Sequence, residues 1–394
     1  MKKLLCMTII SMMLFTACSF SKDNSKSSSD KPNNFYNTFM ETDNGYYLCE
    51  RGMSLKFFDK ATKTEVFLCN KPECQHDNSS FCNATAENIT VNDWVLYDGY
   101  IYLLCIEKQS ESVEVNIYRA SLDGSSLTKF YEVTALKKSA EQDYQLMLGD
   151  MIIHKNRIYL TYKLATDTGA FGFGKAQFCE INLDNKKMKV LYEIEDNFSQ
   201  MPSYFCGIGD KLYYSVYDRS FLVYEYDIKT NKTVEMGIGF STLRSDGQAL
   251  YGISEFDGRQ DTICRYDIKT KEITPIVSEH NNWFNECFTV DSGLLFLYDR
   301  NENSDIVTDV YDLSGTKICT IDIKDMEKYS YTPTLSTYNG YVYIQTHVAK
   351  SFDDMPDTIE YMYDVLYRCS IEDIKNKNVN FEFVYKRNEY YAEV

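Results

Sequence analysis

One short phrase, an aliphatic or aromatic residue followed by an aromatic, recurs along the chain and limits what it can fold into. The copies are Tyr46-Tyr47, Ile101-Tyr102, Ile158-Tyr159, Leu212-Tyr213, Leu250-Tyr251, Leu295-Phe296 and Val342-Tyr343. Most follow a Gly, Asp or Asn turn, and their second residues are 55, 57, 54, 38, 45 and 47 positions apart. That spacing is close to the forty-to-fifty-residue period of propeller blades. A second phrase follows each copy: Tyr226-Asp227-Ile228-Lys229-Thr230 and Tyr266-Asp267-Ile268-Lys269-Thr270, with looser versions at Phe58-Asp59, Tyr118-Arg119 and Tyr311-Asp312. After that comes a turn and a further apolar strand, as in Glu272–Val277.

Asp98-Gly99, Asp246-Gly247 and Asn339-Gly340 supply the positive backbone angles of tight hairpins. Alternation in Tyr341-Val342-Tyr343-Ile344 predicts strands with one packed and one outward face. The chain's 33 tyrosines suit half-buried faces whose hydroxyls reach water. Helix formers cluster only in 134–144 and 371–377, both short. The expectation is an all-β fold over 35–394: a β-propeller of seven blades, each of four antiparallel strands. A pair of β-sandwiches is the competing architecture, and even repetition disfavours it.

The phrases Lys211-Leu212-Tyr213-Tyr214-Ser215 and Gly340-Tyr341-Val342-Tyr343, each followed by a Tyr-Asp-Ile or Tyr-Arg strand, resemble propellers of the low-density-lipoprotein-receptor and TolB-like types. In particular the chain resembles the uncharacterised propeller lipoproteins of Gram-positive anaerobes, over most of 40–390. The resemblance implies the fold; function has to be argued from a site.

Residues 1–17 read as a secretion signal: Lys2 and Lys3, an apolar run from Leu4 to Phe15, then Thr16-Ala17 before Cys18. A run of twelve residues falls short of the roughly 20 that cross a bilayer. Cys18 is the expected lipidation site, although Phe15 stands where such signals usually have Leu. Residues 18–34 then form the lipidated Cys and a Ser-, Asn- and Lys-rich tether, reaching on the order of 20–25 Å by coil scaling. The expected location is outside the cell, anchored to the membrane by lipid.

Cleavage would remove two lysines and no acid, moving the formal charge from −17 to −19. Such a balance argues against nucleic acid, which needs clustered Lys or Arg. It leaves cations, basic partners or neutral ligands, with solubility the plain alternative.

The densest constellation of reactive side chains is Cys69, Cys74, His76 and Cys82, with Cys49 upstream. Three thiols and an imidazole within fourteen residues are the donor types of a structural zinc site. A turn at Pro72 would bring Cys69 towards Cys74, and Cys74 and His76 would face one way on extended chain. Disulfides and free thiols remain open beside metal, because exported domains keep disulfides. The resemblance implies that this Cys, Cys-x-His, Cys-x-Ala pattern is a family feature. Cysteines 105, 179, 206, 264, 287, 319 and 369 read as small buried residues.

Gly169–Ala176 falls short of a phosphate loop because Ala176 replaces the magnesium-binding hydroxyl. Asp299–Asp305 falls short of a calcium loop, having Ser304 where glycine belongs. No Gly-x-Ser-x-Gly or His-Glu-x-x-His occurs.

If the first phrase is a blade's second strand and the second phrase its third, the loops between them share one face. These are Ile106–Val113, Tyr162–Ala176, Tyr217–Phe221, Glu255–Asp261, Asp299–Ile306 and His347–Tyr361. Asp257, Asp261, Asp299, Asp305, Asp353, Asp354 and Asp357 would make that face a negative binding surface; polar hairpin tips are the plain alternative. The functional expectation is a non-catalytic recognition or scaffold module for a protein, peptide or carbohydrate. The alternative is an extracellular enzyme acting on polysaccharide or cell wall.

Overall fold

The computed structural model describes residues 39–50, 53–76, 82–86, 88–110, 112–137, 144–166, 174–196, 202–218, 220–256, 259–278, 288–300, 306–322, 334–352 and 355–386. Residues 1–38, which hold the expected signal, Cys18 and tether, lie outside that set.

Seven antiparallel sheets follow one another along the chain, each built on four successive strands, and the fold is the seven-bladed β-propeller expected. The chain divides into two compact units. The first holds 44–109 and 114–135, and the second 39–43, 110–113 and 136 onward.

The first unit carries blade 1, with Gly45–Glu50, Met53–Asp59, Thr64–Phe67 and the two-residue Thr85–Ala86, and blade 2, with Ile89–Tyr97, Tyr100–Lys108, Ser112–Ser121 and Leu127–Lys137. In the second unit, blade 3 is Tyr144–His154, Arg157–Thr166, Gly174–Asn182 and Met188–Asp196. Blade 4 is Ser203–Ile208, Lys211–Asp218, Ser220–Asp227 and Lys232–Glu235. Blade 5 is Leu243–Ser245, Ala249–Phe256, Arg259–Asp267 and Ile273–Val277. Blade 6 is Phe288–Asp291, Leu294–Arg300, Ile306–Asp312 and Lys317–Asp322, and blade 7 is Thr334–Tyr338, Tyr341–Phe352, Met355–Ser370 and Glu382–Lys386. In blades 2 to 7 each recurrent aromatic phrase falls on the second strand, and the phrases at Tyr118-Arg119, Tyr226-Asp227, Tyr266-Asp267 and Tyr311-Asp312 fall on the third. Of the two helix-prone segments, 371–377 yields a helix over Ile371–Lys375 capped by Ser370, while 134–137 continues a strand and 138–143 are outside the described residues.

Burial within a blade departs from simple alternation. Second strands are buried on both faces: Ile101 to Cys105 are at most 4 % exposed and Leu294 to Leu297 at most 2 %. Fourth strands are more exposed: Lys232–Glu235 is exposed throughout, and others turn only a few residues inward, such as Ile276, Val277 and Ile321. A strand covered on both faces by neighbouring sheets needs an unbroken apolar run, whereas an outermost strand needs charge to discourage pairing with another chain.

Within the second unit the core lies between successive blades. Ile152, Tyr159 and Phe178 of blade 3 pack with Phe205, Leu212, Tyr214 and Tyr226 of blade 4. Equivalent clusters join blades 4 and 5, 5 and 6, and 6 and 7. Tyrosine hydroxyls do not reach water there, contrary to expectation. Tyr159 and Tyr226 are 0 % and 1 % exposed, and both donate to buried Glu180, at 3.1 and 3.0 Å. Arg157 also pairs with Glu180. In the same unit Tyr343 donates to Glu41, which also pairs with Arg368 at 3.2 Å. Burying an aromatic ring is worth about 1.5–3 kcal/mol, but only if its hydroxyl finds a partner.

The aspartate of the Tyr-Asp phrase closes the turn between third and fourth strands. Asp227 Oδ1 accepts the N–H groups of Lys229 and Thr230 at 2.9 and 2.8 Å, and Asp267 those of Lys269 and Thr270 at 2.9 and 3.0 Å. Asp59 and Asp312 act alike, and Asn182 uses its amide oxygen for the same task. Such side chains mimic a turn of backbone.

Candidate metal centre

In blade 1 the outermost strand is interrupted. Thr64–Phe67 pairs with Lys56–Asp59, and Thr85–Ala86 pairs with Met53 and Ser54 on the same neighbour. Leu55 bridges the break: its carbonyl accepts Leu68 N–H at 2.9 Å, and its N–H donates to the Ala84 carbonyl at 2.8 Å. The chain therefore leaves a strand line at Leu68 and rejoins it at Ala84. Residues 69–83 form an excursion whose closure costs roughly 2–3 kcal/mol of chain entropy. Cys69 opens the excursion and Cys82 stands at its end.

Local geometry folds the donors inward. Pro72 starts a turn in which Cys74 N–H bonds to the Lys71 carbonyl at 3.1 Å. His76 adopts a left-handed backbone (φ 56°), so 74–76 is not the extended stretch expected. Its imidazole stacks on Phe67, with ring centroids 4.6 Å apart, and Nδ1 lies 3.5 Å from Cys82 Sγ. The Ala84 N–H donates to that sulfur at 3.3 Å. The three sulfurs and one imidazole nitrogen lie within 4.8 Å of one another.

These distances can be set against two chemistries. A tetrahedral ion with metal–sulfur and metal–nitrogen bonds near 2.3 and 2.05 Å has ligand–ligand edges of roughly 3.5–3.8 Å. A disulfide requires sulfurs at about 2.05 Å. All described cysteines are free thiols, and the 3.5 Å from His76 Nδ1 to Cys82 Sγ matches such a tetrahedral edge, while the four donors together lie within 4.8 Å of one another. The thiols differ in charge preference. Burial pushes the Cys82 thiol up, but Thr85, His76, the Ala84 N–H and Cys74 outweigh it and hold Cys82 down to about 6. The Cys74 thiol is raised: the His76 backbone N–H acts to lower it, but burial and the sulfurs of Cys82 and Cys69 prevail. The cluster can bind a metal ion. Four protein donors fill a tetrahedral shell and leave no position for water or substrate, as in a structural centre.

A feature missed in the sequence frames the cluster. Cys69 and Cys82 are each followed by asparagine, and both asparagines bond to one oxygen: Asn70 N–H and Asn83 Nδ2 donate to the Gly124 carbonyl at 3.2 and 2.8 Å. Gly124 sits in the turn between the last two strands of blade 2, with φ +69°, and a Cβ there would fall 2.7–2.9 Å from the Leu68–Cys69 backbone. Only the Asn83 side chain could have signalled this, because Asn70 contributes its backbone N–H.

Cys49 is not among the four; its charge neighbour is the buried Cys105, whose thiol is raised chiefly by burial. Cys105, Cys179, Cys206, Cys264 and Cys369 are buried as expected and Cys319 is partly so, while Cys287 is outside the described residues. So are Asp257, Asp305, Asp353 and Asp354 of the expected binding face. Asp261, Asp299 and Asp357 lie on strands rather than in loops, at Arg259–Asp267, Leu294–Arg300 and Met355–Ser370. Antiparallel pairing carries further than turn composition suggested: Tyr341–Phe352 and Met355–Ser370 stay paired into the expected 347–361 loop. Gly174 and Lys175 of the discarded phosphate-loop match begin a strand.

The fold and site define a seven-bladed β-propeller carrying a Cys3His cluster. No protein-family model and no curated protein matches the chain. Among solved structures, a puromycin hydrolase is similar at a TM-score of 0.50 and 10 % identity, over 79 % of this chain and 50 % of the hydrolase. The chain thus spans about half the length of that enzyme. An uncharacterised protein of Listeria monocytogenes is similar at 0.45 and 12 % identity, over 72 % of this chain and 79 % of that one. TolB of Acinetobacter baumannii is similar at 0.38 and 13 % identity, over 85 % and 76 %. At these identities the likeness shows the fold alone.

Proposed function

We propose that this chain is an exported propeller lipoprotein, of the kind its phrases resemble, held outside the cell by lipid on Cys18. On this reading it serves as a non-catalytic recognition or scaffold module for a protein, peptide or carbohydrate. Cys69, Cys74, His76 and Cys82 hold a structural zinc ion that fixes the blade 1 excursion. The observation that carries the reading is the donor set: three sulfurs and one imidazole nitrogen within 4.8 Å of one another, the number and kind of protein ligands that a structural zinc ion takes, with none left over for a bound substrate. Zinc fits three thiolates and an imidazole better than calcium or magnesium, which take oxygen ligands.

The test uses the mature chain, residues 18–394, on glycan and peptide panels with product detection in the same samples. Binding without turnover is expected, weakened when Asp353, Asp354 and Asp357 are changed to Lys while the melting midpoint stays fixed. Turnover of a polysaccharide or cell-wall fragment would overturn the non-catalytic reading in favour of an extracellular enzyme.

A further inference from the structure

We infer that ion binding at the Cys3His cluster and docking of the blade 2 turn Ser121–Ser126 are one coupled event, with Asn70, Asn83 and Gly124 as positioning residues for a metal they do not touch. The inference rests on the metal reading given above. It deepens that reading by saying what the ion regulates.

Both arms of the excursion converge on one acceptor. Asn70 follows the first thiol and Asn83 the last, and together they occupy both lone pairs of the Gly124 carbonyl. Asn83 is only 6 % exposed, so losing that oxygen would leave its side-chain amide without this partner. Gly124 has no side chain where Leu68 and Cys69 approach, so the turn sits directly on the backbone that bears the first donor. The turn is itself ordered by Gly124 N–H to the Ser121 carbonyl at 3.1 Å, Ser121 N–H to the Ser126 carbonyl at 3.0 Å, and Ser126 N–H to Ser121 Oγ at 2.9 Å. An ion that draws Cys69 and Cys82 together also sets Asn70 and Asn83 at the separation needed to share one oxygen. By linkage the effect is reciprocal: whatever weakens the shared oxygen weakens ion affinity by the same factor.

The experiment measures Zn2+ affinity of the mature chain by chelator competition and amide hydrogen exchange over 121–126 with and without Zn2+. Expected results are exchange protection of Gly124 and Ser126 that appears with the ion, and a loss of Zn2+ affinity on the order of tenfold or more in Asn83→Ala and Gly124→Ala. Gly207→Ala, a destabilising change in the other unit, leaves Zn2+ affinity unaltered. Should Gly124→Ala fail to fold, Asn83→Ala alone decides. Unchanged affinity in Asn83→Ala, or protection at 121–126 that ignores Zn2+, overturns the coupling while the metal reading stands. If the parent chain binds no Zn2+, the metal reading and the coupling fall together.

Discussion

Glu180 in blade 3 accepts a hydrogen bond from Tyr226 in blade 4 at 3.0 Å, joining the third strands of neighbouring blades through a carboxylate that is 4 % exposed. Tyr159 and Arg157 are its other partners. Glu180→Ala would strand the buried Tyr159 hydroxyl, leave Tyr226 with Asn231 alone and unpair the partly exposed Arg157, and is expected to cost about 2–4 kcal/mol. Tyr226→Phe leaves Glu180 two partners and is expected to cost about 1.5–3 kcal/mol. Urea unfolding of both variants checks the order; an unchanged stability in Tyr226→Phe would mean that Glu180 owes its effect to packing rather than to this bond.

Gly207 packs where a Cβ would come within 2.4 Å of the His154 ring at Nδ1. The ring cannot swing aside, because it is fully buried and its Nε2–H donates to the Gly209 carbonyl at 2.9 Å. Gly207→Ala is expected to destabilise by about 1–3 kcal/mol. The same change made in a His154→Ala background should cost less, a non-additivity that a double-mutant cycle reads directly.

The turn aspartates predict a response to acid. At Asp227 the Lys211 ammonium, then the Thr230 N–H, hold the carboxyl below its usual range; at Asp267 the backbone N–H groups of Thr270 and Lys269 do so, and at Asp312 Ser314 and Thr316. A pKa depressed by folding contributes stability that is present above the unfolded value near 4 and is lost as pH falls through the folded value. The melting midpoint should therefore hold between pH 5 and 7, roughly, and decline below about 4. Asp312→Asn keeps the acceptor oxygen, as Asn182 does in blade 3, but not the charge, and should lower the midpoint at pH 7 less than Asp312→Ala does.

Blade number and strand order were legible because every second strand must be apolar on both faces and every third must end in a turn-closing side chain. Those demands leave Leu212-Tyr213-Tyr214 and Tyr226-Asp227 in the sequence at a blade's spacing. Tyrosine partners were not legible. Tyr226 and Glu180 are 46 positions apart, and nothing local says that a carboxylate will meet that hydroxyl. The Cys3His cluster stood out from donor density, but its place in an interrupted strand depends on Leu55 bonding to both Leu68 and Ala84, a pairing that composition does not encode. Cys49 was drawn into the cluster by proximity in sequence, which is a poor guide once a strand turns away.

The lipid anchor has its own test. A bacterium producing the full chain in the presence of labelled palmitate should incorporate label into the protein, and Cys18→Ser should abolish it. Secretion of an unlabelled mature chain would remove the anchor from the proposal.

The most direct test of the central claim, that Cys69, Cys74, His76 and Cys82 enclose a structural ion, is X-ray absorption of the purified chain with metal quantification. One zinc per chain in a shell of three sulfurs near 2.3 Å and one nitrogen near 2.0 Å is the result predicted. A metal-free chain whose mass is about 2 Da low, with Cys82 joined to another of these cysteines at a disulfide length near 2.05 Å, would contradict it.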